Sequence, residues 1–162
     1  MSDLAKLSWP DVQALLARGC AAILPVGSTE AHGPHLPLDT DVTIALGMAR
    51  RAAARLEAAG RACVVLPPVA YSVTDFAAPF AGTLTLRRTT AIAQLSDVLA
   101  SAVATGFRPV AIANAHLEPA HIETIRSAIE AAGARGSADS AGAIVFPDIT
   151  RRRLAERLTE EF

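Results

Sequence analysis

A chain of 162 residues, 51% of them hydrophobic, can bury one sizeable core, so a single domain over residues 1–162 is expected. Its formal net charge of -1 at pH 7 excludes the basic footprint of a nucleic-acid binder and the polybasic patch of a membrane-surface protein. Cys20 and Cys63 lack metal-like spacing and read as reduced, buried thiols of a cytoplasmic protein. The first residues carry no apolar leader core, and no run approaches the roughly 18 apolar residues of a membrane helix.

In chain order, Ser8 precedes Trp9-Pro10 and can cap a first helix reaching about Arg18. Residues 21–27 are apolar and end in glycine, as a buried parallel strand does. From Asp41 onward, Val42, Ile44, Ala45, Met48 and Ala49 share a helical face that ends near Gly60. A strand at residues 63–66 is stopped by Pro67-Pro68. Residues 67–88 form a long loop containing prolines and aromatics, a kind that serves as a substrate lid or is disordered. From Thr89 or Thr90, the residues Ile92, Leu95, Val98, Leu99 and Val103 mark a helix closing at Gly106. Residues 109–113 read as a strand running into Asn114, and 120–132 as a helix with Ile122, Ile125 and Ile129 inward. A flexible surface loop over 133–142, a strand at 143–146 and a charged helix over 149–161 complete the reading. The alternation of strands and helices predicts an α/β fold with right-handed crossovers and a mostly parallel sheet.

Two polar packets follow the apolar strands: Glu30-Ala31-His32-Gly33-Pro34-His35-Leu36-Pro37-Leu38-Asp39-Thr40-Asp41, and Asn114-Ala115-His116-Leu117-Glu118. Ligands of open α/β sheets gather beyond the carboxyl ends of the strands, where both packets fall. Glu30 and His32, like His116 and Glu118, are one residue apart and point to the same side of an extended segment. Carboxylate with imidazole suits zinc, manganese, iron or cobalt, and the absence of a cysteine pair argues against a structural zinc cage. Two metals about 3.5–4 Å apart, bridged by a carboxylate, would lower the pKa of a bound water and polarise a carbonyl oxygen. Asp41 is the candidate bridge, and the pattern points to a two-metal hydrolase.

Residues 27–41 resemble the signature of the creatininase (creatinine amidohydrolase) family. Asn114-Ala115-His116-Leu117-Glu118 resembles its Asn-Gly-His-x-Glu segment, and Phe80-Ala81-Gly82-Thr83 its Phe-Pro-Gly-Thr loop. The resemblance implies a three-layer α/β/α hydrolase with two divalent ions, Zn or Mn with Fe as a third candidate. Such enzymes cleave carbon–nitrogen amide bonds in small, often cyclic, substrates. Residue by residue, it assigns Glu30 and His116 to one metal, His32 and Glu118 to the other, and Asp41 to the bridge. Glu118 and His35 are the candidate catalytic residues, His35 by orienting the loop or a ligand. Tyr71, Phe80 and His121 are the candidate substrate contacts. The resemblance also implies a homo-oligomer, a hexamer among the options, and a small-molecule partner.

Plainer roles stand beside several of these assignments. Asp39 is either a helix cap or a catalytic group. His121 otherwise reads as a solvated or half-buried histidine. Tyr71, Phe76 and Phe80 suit core packing as well as a pocket wall, and Arg151-Arg152-Arg153 is most simply a solvated helix start, although its charges oppose the helix dipole.

The chain also departs from the family pattern. Ala115 stands where glycine is usual, which would strain a left-handed turn, and Pro119 replaces a common asparagine. Residues 71–74 differ from the usual glycine- and serine-containing substrate loop, so creatinine is one candidate substrate among several. Related members act on a formamide of a pyrimidine nucleotide precursor or trim a modified peptide in cofactor maturation. Members run to roughly 250 residues and carry a later His-Ala-Gly-x-x-Glu-Thr-Ser motif. No such motif precedes Phe162, so the domain is expected to lack the C-terminal part of the family fold, including part of the acid machinery. Two functions follow: an amidohydrolase, or alternatively a truncated, non-catalytic module for metal binding and oligomerisation.

Overall fold

A computed structural model describes residues 2–135 and 143–151. Five strands, β1 (Ser2–Asp3), β2 (Cys20–Val26), β3 (Ala62–Val65), β4 (Val110–Asn114) and β5 (Ile144–Val145), form one sheet in the order β1-β3-β2-β4-β5. All four neighbouring pairs are parallel. Helices α1 (Trp9–Leu16), α2 (Thr40–Ala58), α3 (Arg88–Thr105) and α4 (Pro119–Arg135) connect them. This is the expected α/β architecture. Among the described residues no helix is long and apolar enough to cross a membrane.

The central strand β2 is buried along its whole length because helices cover both faces of the sheet. On one face, Cys20, Ala22, Leu24 and Val26 meet Leu95, Leu99 and Val103 of α3 and Ile125, Ala128 and Ala132 of α4, with α1 at the margin. On the other, Ala21 and Ile23 meet Ala49 and Ala53 of α2. The alanines at 45, 49 and 53 recur every fourth residue and are fully buried, so they let α2 lie close against the sheet. Larger side chains fill the α3–α4 side, where Leu24, Leu95, Leu99, Ile112 and Ile125 each contribute about 1.5–3 kcal/mol by leaving water.

Several boundaries differ from the sequence reading. The edge strand β1 was not expected; pairing with β3 and the Arg50 to Asp3 ion pair at 3.0 Å hold its two residues, and neither is a local signal. Helix α1 stops at Leu16, short of Arg18, and its first turn is fastened by Asp11, whose carboxylate accepts the Ser8 amide and hydroxyl. Helix α4 starts at Pro119, a residue suited to a first helical position because it needs no amide partner there. It runs on to Arg135, so Gly133 is helical rather than part of a surface loop. The remainder of that predicted loop, 136–142, and most of the predicted last helix lie outside the described residues. Residues 149–151 form a turn rather than a helix start, because Asp148 takes the Thr150 amide and hydroxyl. Arg151 accordingly reaches Asp148 at 3.5 Å.

Residues 67–87 carry no long element, yet they are built into the fold. Val69 N–H donates to Pro25 O, Gly27 N–H to Val69 O, Leu84 N–H to Thr29 O and Leu86 N–H to Ser72 O. The predicted lid or disordered loop is therefore a strap pinned across the carboxyl ends of the strands. Gly27 supplies the other close approach: a Cβ there would sit 2.7 Å from Val42 N and 2.8 Å from the Asp41 carbonyl carbon. Only glycine lets the end of β2 touch the start of α2.

Candidate metal centre

Three segments converge beyond the strand ends. The loop after β2 brings Glu30 and His32; it is closed by Glu30 N–H to Leu38 O at 3.1 Å and tied to the strap by Ala31 N–H to Thr83 Oγ1 at 3.1 Å. The first turn of α2 brings Asp41, which is buried and favoured there by the helix dipole. The segment after β4 brings His116 and Glu118, both buried. It is anchored by Ala115 N–H to Val26 O at 3.2 Å. No non-glycine residue among those described has a positive φ, so the left-handed strain expected at Ala115 is not found.

The Asp41 carboxylate spans the two imidazoles. Its Oδ1 lies 3.0 Å from His32 Nε2 and its Oδ2 3.1 Å from His116 Nδ1. Glu30 Oε1 lies 3.8 Å from His32 Nε2 and 3.3 Å from His116 Nδ1. The far nitrogen of each ring donates to a backbone carbonyl, His32 Nδ1 to Glu30 O at 3.1 Å and His116 Nε2 to Val73 O at 2.9 Å. In a neutral imidazole that arrangement leaves the lone pair, not the proton, facing the carboxylates. Asp41 Oδ2 correspondingly has no hydrogen-bond partner. Although His116 Nδ1 is close by, the proton that would link the two is committed to the other end of the ring.

Lone pairs opposite carboxylate oxygens repel unless a cation lies between them. The ion pairs these carboxylates make among the described residues are all to histidine. Two sets of donor atoms can converge, Glu30 with His32 and Asp41, and Glu30 with His116 and Glu118. Nitrogen and carboxylate oxygen donors with second-sphere carbonyls on the histidines are the chemistry of a divalent transition-metal site, so the residues fit the group. Glu30 belongs to both sets, and Glu118 joins the one that contains His116. The Glu118 oxygens accept the amides of Asp75 at 3.2 Å and Phe76 at 3.3 Å, which hold it on that side.

Protonation follows the same geometry. Burial pushes the Glu30 carboxyl above its ordinary range, only partly offset by His116. Burial pulls His116 down, but the Asp41 carboxylate beside it, the Val73 carbonyl and the Glu30 charge outweigh it and raise the imidazole on balance.

The other predicted site residues are placed differently. His35 is exposed on the loop after β2 and belongs to neither converging set. Asp39 stands at the N-cap position of α2, but its carboxylate accepts the Thr43 hydroxyl at 3.2 Å rather than capping an amide. Phe80 is exposed on the strap, so core packing is not its role. Tyr71 is half exposed and lines a cavity of about 800 Å³ with Leu66, Val69, Val98 and Phe107, on the α3 side of the sheet. None of the five candidate ligands lines that cavity. Tyr71 therefore faces away from the centre, whereas the next residue, Ser72, reaches His121 beside it.

His121 is fully buried, not solvated or half-buried. Its Nε2–H donates to Asn114 Oδ1 at 2.8 Å and its Nδ1 accepts the Ser72 hydroxyl, so neither ring nitrogen is left for a substrate. Burial, reinforced by neighbouring His116, holds its pKa down at about 3.

The sequence reading missed the strap residues that support the ligands. Val73 O holds His116, the Thr74 hydroxyl donates to Glu30, and the Asp75 and Phe76 amides hold Glu118. Their signal was the departure of residues 71–74 from the family loop, which looked like a change of substrate rather than a support.

The chain is 37% identical over 83 residues to the mycofactocin precursor peptide peptidase of Mycobacterium ulcerans (strain Agy99), covering 49% of this chain and 29% of that protein. It is 28% identical over 121 residues to the creatinine amidohydrolase of Pseudomonas putida, covering 71% of this chain and 45% of that protein. The matched stretches thus span less than half the length of these curated relatives. A solved structure described as creatininase Mn superposes with a TM-score of 0.77 at 24% identity, over 90% of this chain and 58% of that one. The family model described as creatinine amidohydrolase matches residues 5–161, and with the converging carboxylates and histidines this makes the chain a member of the creatininase family of hydrolases.

Proposed function

We propose that this chain carries the metal-binding part of an amidohydrolase that cleaves a carbon–nitrogen bond in a small amide, cyclic or open-chain. The observation that carries the reading is the Asp41 carboxylate set between His32 Nε2 and His116 Nδ1, each ring turned lone pair inward by a backbone carbonyl. Glu30, His32, Asp41, His116 and Glu118 would hold two divalent ions, zinc or manganese, with Asp41 between them. Bound divalent ions acidify water and polarise a carbonyl, the two requirements of amide hydrolysis at neutral pH.

The protein's own groups do the rest. Glu118, oriented by the Asp75 and Phe76 amides, is the carboxylate placed to take a proton from the attacking water. His35, exposed on the loop after β2, would orient the substrate or pass a proton to solvent. Phe80 and Phe76 on the strap offer apolar surface to a substrate. The higher identity to the mycofactocin peptidase than to the creatinine amidohydrolase favours a second reading of the substrate, the amide of a peptide. Assembly into a homo-oligomer belongs to the same proposal.

Elemental analysis of the purified chain, followed by turnover assays on creatinine, small cyclic amides and short peptides, tests it. Close to two equivalents of metal, lost in Asp41→Ala, with hydrolysis of one of these amides, supports the enzyme. Two equivalents without turnover assigns a non-catalytic metal-binding module, and no metal overturns the centre.

A further inference from the structure

A buried polar constellation joins the strap to the segment after β4. Asn114 Nδ2 donates to the His116 backbone carbonyl at 2.6 Å, which leaves Asn114 Oδ1 as an acceptor. That oxygen takes the His121 Nε2–H at 2.8 Å. A neutral ring protonated at Nε2 must accept at Nδ1, so the Ser72 hydroxyl is the donor there. Every donor and acceptor sense in the chain from Ser72 to His116 is thereby determined. Asn114, His121 and Ser72 are all buried, and the His121 ring lies 4.6 Å from the His116 ring. Val73, the neighbour of Ser72, accepts the His116 Nε2–H at 2.9 Å. His116 is thus gripped twice by the same two strap residues, at its ring through Val73 and at its backbone through Ser72, His121 and Asn114.

We propose that His121 is a positioning residue, which with Ser72 and Asn114 locks the strap to the segment after β4 and so sets the direction of His116 Nδ1. The inference rests on the metal-centre reading for its consequence, but the positioning exists without metal. His121 comes from the first turn of α4, so the relay ties the strap and the end of β4 to that helix. A side chain with no access to solvent and both nitrogens engaged acts through His116, not on a substrate.

The test uses the full chain with Ser72→Ala, which deletes only the donor, and His121→Phe, which keeps ring volume but loses both bonds. Nitrogen-15 NMR of the metal-free protein reads the imidazole tautomers, and calorimetric titration with zinc reads affinity. At a pH where both rings are neutral, His116 and His121 of the wild type carry the proton on Nε2. In Ser72→Ala a His116 population protonated at Nδ1 appears, and zinc binding weakens by about 10–100-fold. Combining the two substitutions adds little, because both break one relay. Unchanged His116 tautomers in a folded Ser72→Ala protein, or zinc affinity within about twofold of wild type while thermal stability falls, overturns the proposal. If the wild type takes up no zinc, the metal-centre reading fails, and the tautomer response to Ser72→Ala alone decides the relay.

Discussion

Gly27→Ala is the substitution that most directly couples the backbone to the candidate centre. The new Cβ would lie 2.7 Å from Val42 N and 2.8 Å from the Asp41 carbonyl carbon, against ordinary contact beginning at 3.4 Å. Neither neighbour is a flexible side-chain end, so the start of α2 must retreat from β2 by roughly 0.7 Å, an overpacking that costs about 1–3 kcal/mol. For a chain of this size that corresponds to a fall in melting temperature of roughly 2–12 °C. The same retreat carries Asp41 away from His32 and His116, which it now meets at 3.0 and 3.1 Å. Metal affinity should therefore drop along with stability, by about 10–100-fold if the loss matches that of an outer-sphere ligand support. Differential scanning calorimetry of the metal-free protein and zinc titration by calorimetry give the two numbers. A variant that melts with wild type and binds zinc equally tightly would refute the claim that glycine is needed there for contact.

Chelation should lower the melting temperature of the metal-loaded chain, and added zinc or manganese should restore it. At a free metal concentration 100 times Kd the expected stabilisation is about 2.7 kcal/mol, or roughly 5–11 °C, and the absence of any shift would argue against a site in the native state. Burial pushes the Asp148 carboxyl up, but hydrogen bonds from Thr150 and Arg126 more than offset this and hold it below its ordinary range. A depressed folded pKa means the stabilisation is present above the unfolded value of about 3.9 and is lost as pH falls through the folded one. Asp148→Asn should thus be less stable than wild type by about 1–2 kcal/mol at pH 7, after allowing for the partly exposed Arg126. Chemical denaturation at falling pH should show that gap closing below about pH 4, and a gap independent of pH would sink the ion-pair account. Leu99 is fully buried between α3 and the sheet, so Leu99→Ala should cost about 2–5 kcal/mol in urea denaturation. A loss under about 1 kcal/mol would mean the α3 side collapses around the missing side chain.

Local pattern determined a large part of this protein. The apolar run at residues 20–26 is buried on both faces of a parallel sheet, and those at 62–65 and 110–113 are buried or half-buried, so such runs are legible because burial leaves little place for polar residues. The clustered Glu30, His32, Asp41, His116 and Glu118 were legible for the converse reason, since carboxylates and imidazoles after an apolar strand have no use in a core. Tertiary structure alone decided the rest. The two-residue strand β1 exists only because β3 offers an edge, and no two residues announce that. Glu118 lies with Glu30 and His116 because the amides of Asp75 and Phe76, more than forty residues upstream, hold its oxygens. His121 looked like any helical histidine in sequence, yet Ser72 and Asn114 close around it. Tyr71 and Ser72, adjacent in the chain, take different partners: Tyr71 lines the cavity beside α3, whereas Ser72 reaches His121 of α4. Side-chain type reports what a residue can do, but the lone pair it presents and the partner it meets depend on contacts between segments far apart in sequence.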